Sequence, residues 1–253
     1  MHRHYGFIGL ALLVGMLSGC ATTTAKLHYT LKENAASRPL RQVVLLPVDV
    51  DVKEMSAGGV QEEVPEWSHK AEENIRSAVL VSRDSAGGCC VTRVVDSASL
   101  TAAERESLEE HLALFNSVAA TALWVDLPGN SAWRFKSEHF DYTLGSGLSF
   151  LKTRYGVDAG LIILGEDVVS SGGRKAMAVV GATLGIGVPM GHSVLVGGLV
   201  DFETGDLLWL NRTISYGAAD LRDPASSLEL ARKLMENYPG RAGPGAGTSS
   251  GAD

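Results

Sequence analysis

Val157-Asp158-Ala159-Gly160-Leu161-Ile162-Ile163-Leu164-Gly165 opens the stretch that decides the fold, and Leu207-Leu208-Trp209-Leu210-Asn211 closes it. Between them stand a glycine-rich apolar run and Ser193-Val194-Leu195-Val196-Gly197-Gly198-Leu199-Val200-Asp201-Phe202. Apart from Asp158, the outer pieces are short, uncharged and bounded by turn residues, which is the pattern of buried strands. Glu203-Thr204-Gly205-Asp206 reverses the chain, and Gly205 can take the positive φ that such a turn demands. The expectation is a single α/β domain, with α+β as the neighbouring class. It has a mixed sheet flanked by helices, a C-terminal β-hairpin and a final helix.

Upstream, Val43-Val44-Leu45-Leu46 is fully apolar. Val48, Val50 and Val52 then alternate with Asp49, Asp51 and Lys53, so one face turns to water and Pro47 marks a bend or an edge. Pro65 suits the first turn of a helix whose apolar face holds Trp67, Ala71, Ile75, Ala78 and Val79. Cys89 to Val95 reads as a strand. Thr101-Ala102-Ala103-Glu104 is a capping box, followed at helical spacing by Leu108, Leu112, Phe115 and Ala119. Leu123-Trp124-Val125 is read as a short strand, because Trp and Val fit one and Pro128-Gly129-Asn130 stops it. Leu144, Leu148, Leu151 and Tyr155 form another helical stripe, with Gly156 as its C-cap. Downstream, Asp223-Pro224 caps a last helix that buries Leu228, Ala231, Met235 and Tyr238.

The chain has 253 residues, enough for one domain with a real core. It carries 22 basic against 29 acidic residues, a net charge of -7. That balance speaks against a nucleic-acid partner bound through a basic face. Arg3 between His2 and His4 is a short basic region, and Phe7 to Leu17 is an apolar run too short to span a bilayer easily. Residues 1–19 are therefore expected to be a signal peptide. Residues 20–39 read as a tether, with a short strand at Leu27–Leu31 as an option. Residues 40–238 are the domain and 239–253 a disordered tail.

Leu17-Ser18-Gly19-Cys20 resembles the lipobox of bacterial lipoproteins. The resemblance implies cleavage before Cys20, a diacylglyceryl group on its thiol and, with Ala21 next, residence in the outer membrane facing the periplasm. Three further pieces carry a second resemblance: Val43 to Pro47, the strand Leu161 to Ser170 ending in Ser171-Gly172-Gly173-Arg174, and Leu199 to Trp209. Together they resemble the periplasmic α/β domain of curli-secretion-channel-like lipoproteins and the amino-terminal domain of the Tol translocation protein. The likeness covers most of Gln42 to Tyr238. It implies envelope assembly rather than catalysis, and no catalytic residues to carry over.

Candidates for chemistry are few. With Cys20 lipidated, Cys89 and Cys90 are the remaining thiols; they read as small residues entering a strand, as a vicinal disulfide, or as links to another chain. His69, His111, His139 and His192 are dispersed, and His139-Phe140-Asp141 offers two ligands without a third, so no metal site is expected. Ser146 between Gly145 and Gly147 does not match a nucleophile elbow. No cofactor motif stands out. Ala176 to Val200 holds no charge apart from His192, and by length it would pass as a membrane span. Gly181, Gly185, Gly187, Pro189 and Gly191 break it. It is either a loop facing a membrane or a subunit, or a connection buried in its own domain.

The functional expectation is an outer-membrane lipoprotein, anchored through Cys20, acting through contacts with an envelope protein as an assembly or accessory factor. The alternatives are a subunit of a homo-oligomeric secretion pore and an enzyme.

Overall fold

The structure is a computed structural model, and it describes residues 22–33, 42–84, 91–125, 133–217, 219–236 and 238–239. Eight strands form one mixed sheet: β1 (Thr22–Leu27), β2 (Val43–Leu45), β3 (Asp49–Met55), β4 (Gln61–Glu63), β5 (Val91–Val94), β6 (Ala159–Ser170), β7 (His192–Asp201) and β8 (Leu207–Tyr216). Their order is β1-β8-β7-β6-β2-β5. β6 pairs in parallel with β2 along its first half and with β3 along its second, so β2 and β3 act as one strand broken at Pro47. β4 lies antiparallel outside β3. The α/β class, the mixed sheet and the C-terminal hairpin β7–β8 are thus present.

Helices cover both faces. α1 is Tyr29–Glu33, α2 Pro65–Asp84, α3 Ala102–Val125, α4 Arg134–Glu138, α5 Ser149–Tyr155, α6 Gly172–Thr183 and α7 Pro224–Leu234. One core holds Val43, Leu45, Ile75, Leu161, Trp209 and Ala231, beneath α2 and α7. The other holds Val44, Leu46, Phe115, Leu148, Ile162 and Phe202, beneath α3 and α5. Successive residues of β2 and of the first half of β6 point into opposite cores, which is why Val43 to Leu46 and Leu161 to Leu164 read as unbroken apolar runs. Along β3 Val50 and Val52 enter the first core, while Asp49 and Asp51 stay exposed.

Several caps sit where their residue types require. Thr101 N–H donates to Glu104 Oε2 at 2.8 Å and Glu104 N–H donates back to Thr101 Oγ1 at 3.3 Å, the reciprocal pair of a capping box. Asp223 accepts from Ser226 N–H at 2.9 Å, with Pro224 opening α7. Gly156 closes α5 at φ 64°. At the hairpin, Asp201 Oδ1 accepts from Glu203 and Thr204 N–H at 2.7 and 3.2 Å. Gly205 takes φ 78°, and a Cβ there would strike the backbone of Gly145.

Five expectations differ from the structure. Thr22–Leu27, read as tether, is the edge strand that pairs with β8 through six residues. The optional strand at Leu27–Leu31 gives way to α1. β-branched threonines suit a pleated edge, and β8 would otherwise leave its backbone donors and acceptors unpaired. Leu123-Trp124-Val125 is the last turn of α3, because Ala119, Ala122 and Leu123 continue its buried stripe. The stripe from Leu144 begins as a 3-10 turn at Ser146–Leu148 before α5. Ala176 to Val200 is divided among α6, a loop and β7. The strand expected from Cys89 is seen as β5; Cys89, Cys90, Cys20, the signal region and residues 240–253 lie outside the described residues.

Candidate functional site

The feature that the fold does not need is the connection between β6 and β7, residues 171–191. It is tied down at its ends. Ser171 N–H donates to Met55 O at 2.9 Å, and the Ser171 hydroxyl caps α6 by accepting from Arg174 N–H at 3.2 Å. Arg174 then clamps both sides, donating to Pro189 O at 3.0 Å and to Ala57 O at 3.2 Å. At the return, Gly191 N–H donates to Ser170 Oγ at 2.9 Å. A Cβ on Gly191 would run into the carbonyl of Val168, so only glycine lets the chain pass so close to β6.

Between these ties the segment packs on almost nothing. Of α6 only Gly181 is buried, under the turn in which Ile186 N–H donates to Gly181 O at 2.8 Å. Met177, Val179, Val180, Leu184 and Ile186 stand in solvent, Val179 and Leu184 at 68% and 69% exposure. Burial of the whole run in its own domain does not hold: residues 176–190 are largely exposed, and Val194 to Val200 joins the sheet. No helix among the described residues is long and apolar enough to cross a membrane.

The strand ends beside this segment carry the local charge. Glu166 on β6 accepts from Lys53 Nζ at 2.7 Å, and His192 Nε2 lies 3.5 Å from its other oxygen. The hydrogen bond to Glu166 is the main cause that holds the Lys53 ammonium above its ordinary pKa. On the opposite face Asp167 is fully buried. It accepts from Ser193 Oγ at 2.7 Å and Leu221 N–H at 2.8 Å, tying β6, β7 and the approach to α7 together. Burial pushes its carboxyl above the usual range, against the opposing pull of those two bonds. Nearby, Arg222 pairs with Asp220 at 2.7 Å and lies 3.9 Å over the Trp67 ring.

The remaining sequence candidates stay apart. His139 stacks between Tyr29 and Phe135, at 4.4 and 5.4 Å. His111 Nδ1 lies 2.7 Å from Ser107 O, and His69 sits beside Glu72 and Glu73 on the exposed side of α2. Ser146 opens the 3-10 turn after Gly145. Among the described residues no three His, Cys, Asp or Glu side chains gather as a metal-binding group. A shallow cleft at the C-terminal ends of β2 and β5 is lined by Pro47, His69, Glu72, Arg76 and Asp96. The Asp96 carboxylate there is engaged by Ala98 N–H at 3.0 Å.

Two residues of the α6 pole escape a sequence reading. Tyr216, 65% exposed beside His192, looks like any strand-end aromatic. Asp167 interrupts an apolar run, which is a signal, but its partner Leu221 lies far along the chain.

No family model matches the chain, and no curated protein matches it. Solved structures that resemble it include two forms of one protein. One is the PelC dodecamer from Paraburkholderia phytofirmans, at TM-score 0.38 and 11% identity over 88% of this chain and 99% of that one. The other is a single-substitution variant of that dodecamer, at TM-score 0.39 and 11% identity over 88% and 98%. A likeness this distant carries no argument about the assembly or partners of the present chain.

Proposed function

We propose that the protein is a lipoprotein held to the periplasmic face of the outer membrane by lipid on Cys20, and that it works through protein contacts, as an assembly or accessory factor of the envelope. The observation that carries this reading is where the sheet begins. β1 starts at Thr22, two residues after Cys20, so anchor and domain are joined without a spacer. The domain is then held against the membrane rather than trailing from it. The lipobox resemblance and the likeness to curli-channel and Tol lipoproteins support the same setting. Attachment through two or more acyl chains is stable, at about 0.8 kcal/mol per buried methylene. The partner proteins approach from the periplasm.

Metabolic lipid labelling of the wild type and Cys20→Ser, followed by membrane fractionation, tests the reading. The wild type is expected in the outer membrane with label, and the serine variant unlabelled, because only the thiol forms the thioether. Label retained on the serine variant contradicts it.

A further inference from the structure

We propose that residues 172–190, α6 and the loop after it, form a lipid-contact surface that seats the domain on the leaflet holding the lipid of Cys20. The inference rests on the lipoprotein reading and adds an orientation to it.

Strand register places the two at one pole. Thr22 of β1 lies opposite Ile214 of β8, and Ile214 lies opposite Val194 of β7. Tyr216 lies opposite His192, where the chain returns from α6. The N-terminal end of β1 is therefore at the end of the sheet from which α6 departs. Cys20 is within about 7 Å of Thr22 along an extended chain, and β1 and β7 are two strand spacings apart, about 10 Å. The other pole holds the turn 202–206 and its bridge from Thr143 to Asp206.

The chemistry of the segment fits a bilayer surface. Residues 172–190 contain no carboxylate, and Arg174 and Lys175 are their only ionisable side chains. Met177, Val179, Val180, Leu184 and Ile186 are exposed together. Tyr216, exposed beside His192 where the chain returns from this segment, has the ring type that gathers at headgroup level. A helix of this length is about 18 Å long, short of the ~30 Å hydrocarbon core, so it lies in the interface rather than across it. Its last turn is closed, with Leu184 and Ile186 N–H both donating to Gly181 O, which spares these backbone donors contact with lipid. A second copy of the chain could also cover an apolar helix. Nothing about such a contact would require the helix to share a pole with the anchor.

The experiment uses the full-length lipidated protein in vesicles of brominated phosphatidylcholine. Val180→Trp is compared with Thr204→Trp at the opposite pole, each against the parent with its four tryptophans. Both positions are exposed, so the fold tolerates either ring. Several-fold stronger quenching is expected for the indole added at position 180 than for the one added at position 204. Equal quenching overturns the proposal. So does an emission of the added residue at 180 that is blue-shifted but unquenched, since a protein neighbour then covers it. Mass analysis of Cys20 on the same samples separates the two claims. Lipid on Cys20 with no quenching at 180 sinks the seat and leaves the lipoprotein reading. Quenching at 180 by protein bearing no lipid upholds the seat and sinks the lipoprotein reading.

Discussion

The two connections at either end of β7 join antiparallel neighbours and could hardly differ more. From β7 to β8 the chain turns in residues 202–206, with Phe202 buried, Gly205 wedged against Gly145 and Asp201 holding two N–H groups. From β6 to β7 it spends residues 171–191, and their apolar side chains face solvent. Most connections need only ~4–6 residues, and the first shows what this sheet requires. The excess in the second packs little on the domain and contributes little to folding.

That contrast can be broken at several strengths. Phe202→Ala, at the tight end, is expected to cost about 3–5 kcal/mol, as truncation of a buried aromatic ring does; denaturant unfolding measures it, and a loss below about 1 kcal/mol would place Phe202 outside the core. Gly205→Val should cost roughly 1–3 kcal/mol from its disfavoured backbone, read as a lowered unfolding midpoint with an unchanged slope.

Asp167 gives an effect that varies with pH. Its folded carboxyl titrates above the ordinary range because of burial. The neutral form is thus favoured in the folded state, and stability is greatest below the unfolded pKa. It declines as pH rises from about 4 through the raised folded value. Asp167→Asn should remove that decline and, by weakening the bond to Leu221 N–H, cost about 1–3 kcal/mol. Stability curves of the two proteins from acid to neutral pH would show it, and parallel slopes would contradict the burial.

Much of this was legible in the residues. The apolar runs Leu161 to Leu164 and Leu207 to Leu210 marked β6 and β8, the capping box marked α3, Asp223-Pro224 marked α7, and Gly205 marked the hairpin. These are local signals, where residue type and backbone requirement coincide. What escaped was decided by distant partners. Thr22 to Leu27 is polar and small, and only the open edge of β8 makes it a strand. Leu123 to Val125 has strand composition, but the second core holds it in helix. The exposed or buried state of residues 176–190 could not be read, because an apolar helix has the same spelling against a core as against lipid. Asp167 needed Ser193 and Leu221 beside it before its burial made sense.

The smallest expected change in stability tests the central claim most directly. Val180→Asp with Leu184→Asp places two charges on the connection of β6 to β7, where both native side chains are exposed. The full-length variant is expected to keep its stability within about 0.5 kcal/mol of the parent per substitution, read from thermal melting, and to make weaker contact with vesicles through this segment. Collapse of the fold, as a charge forced into a core would cause, would contradict it.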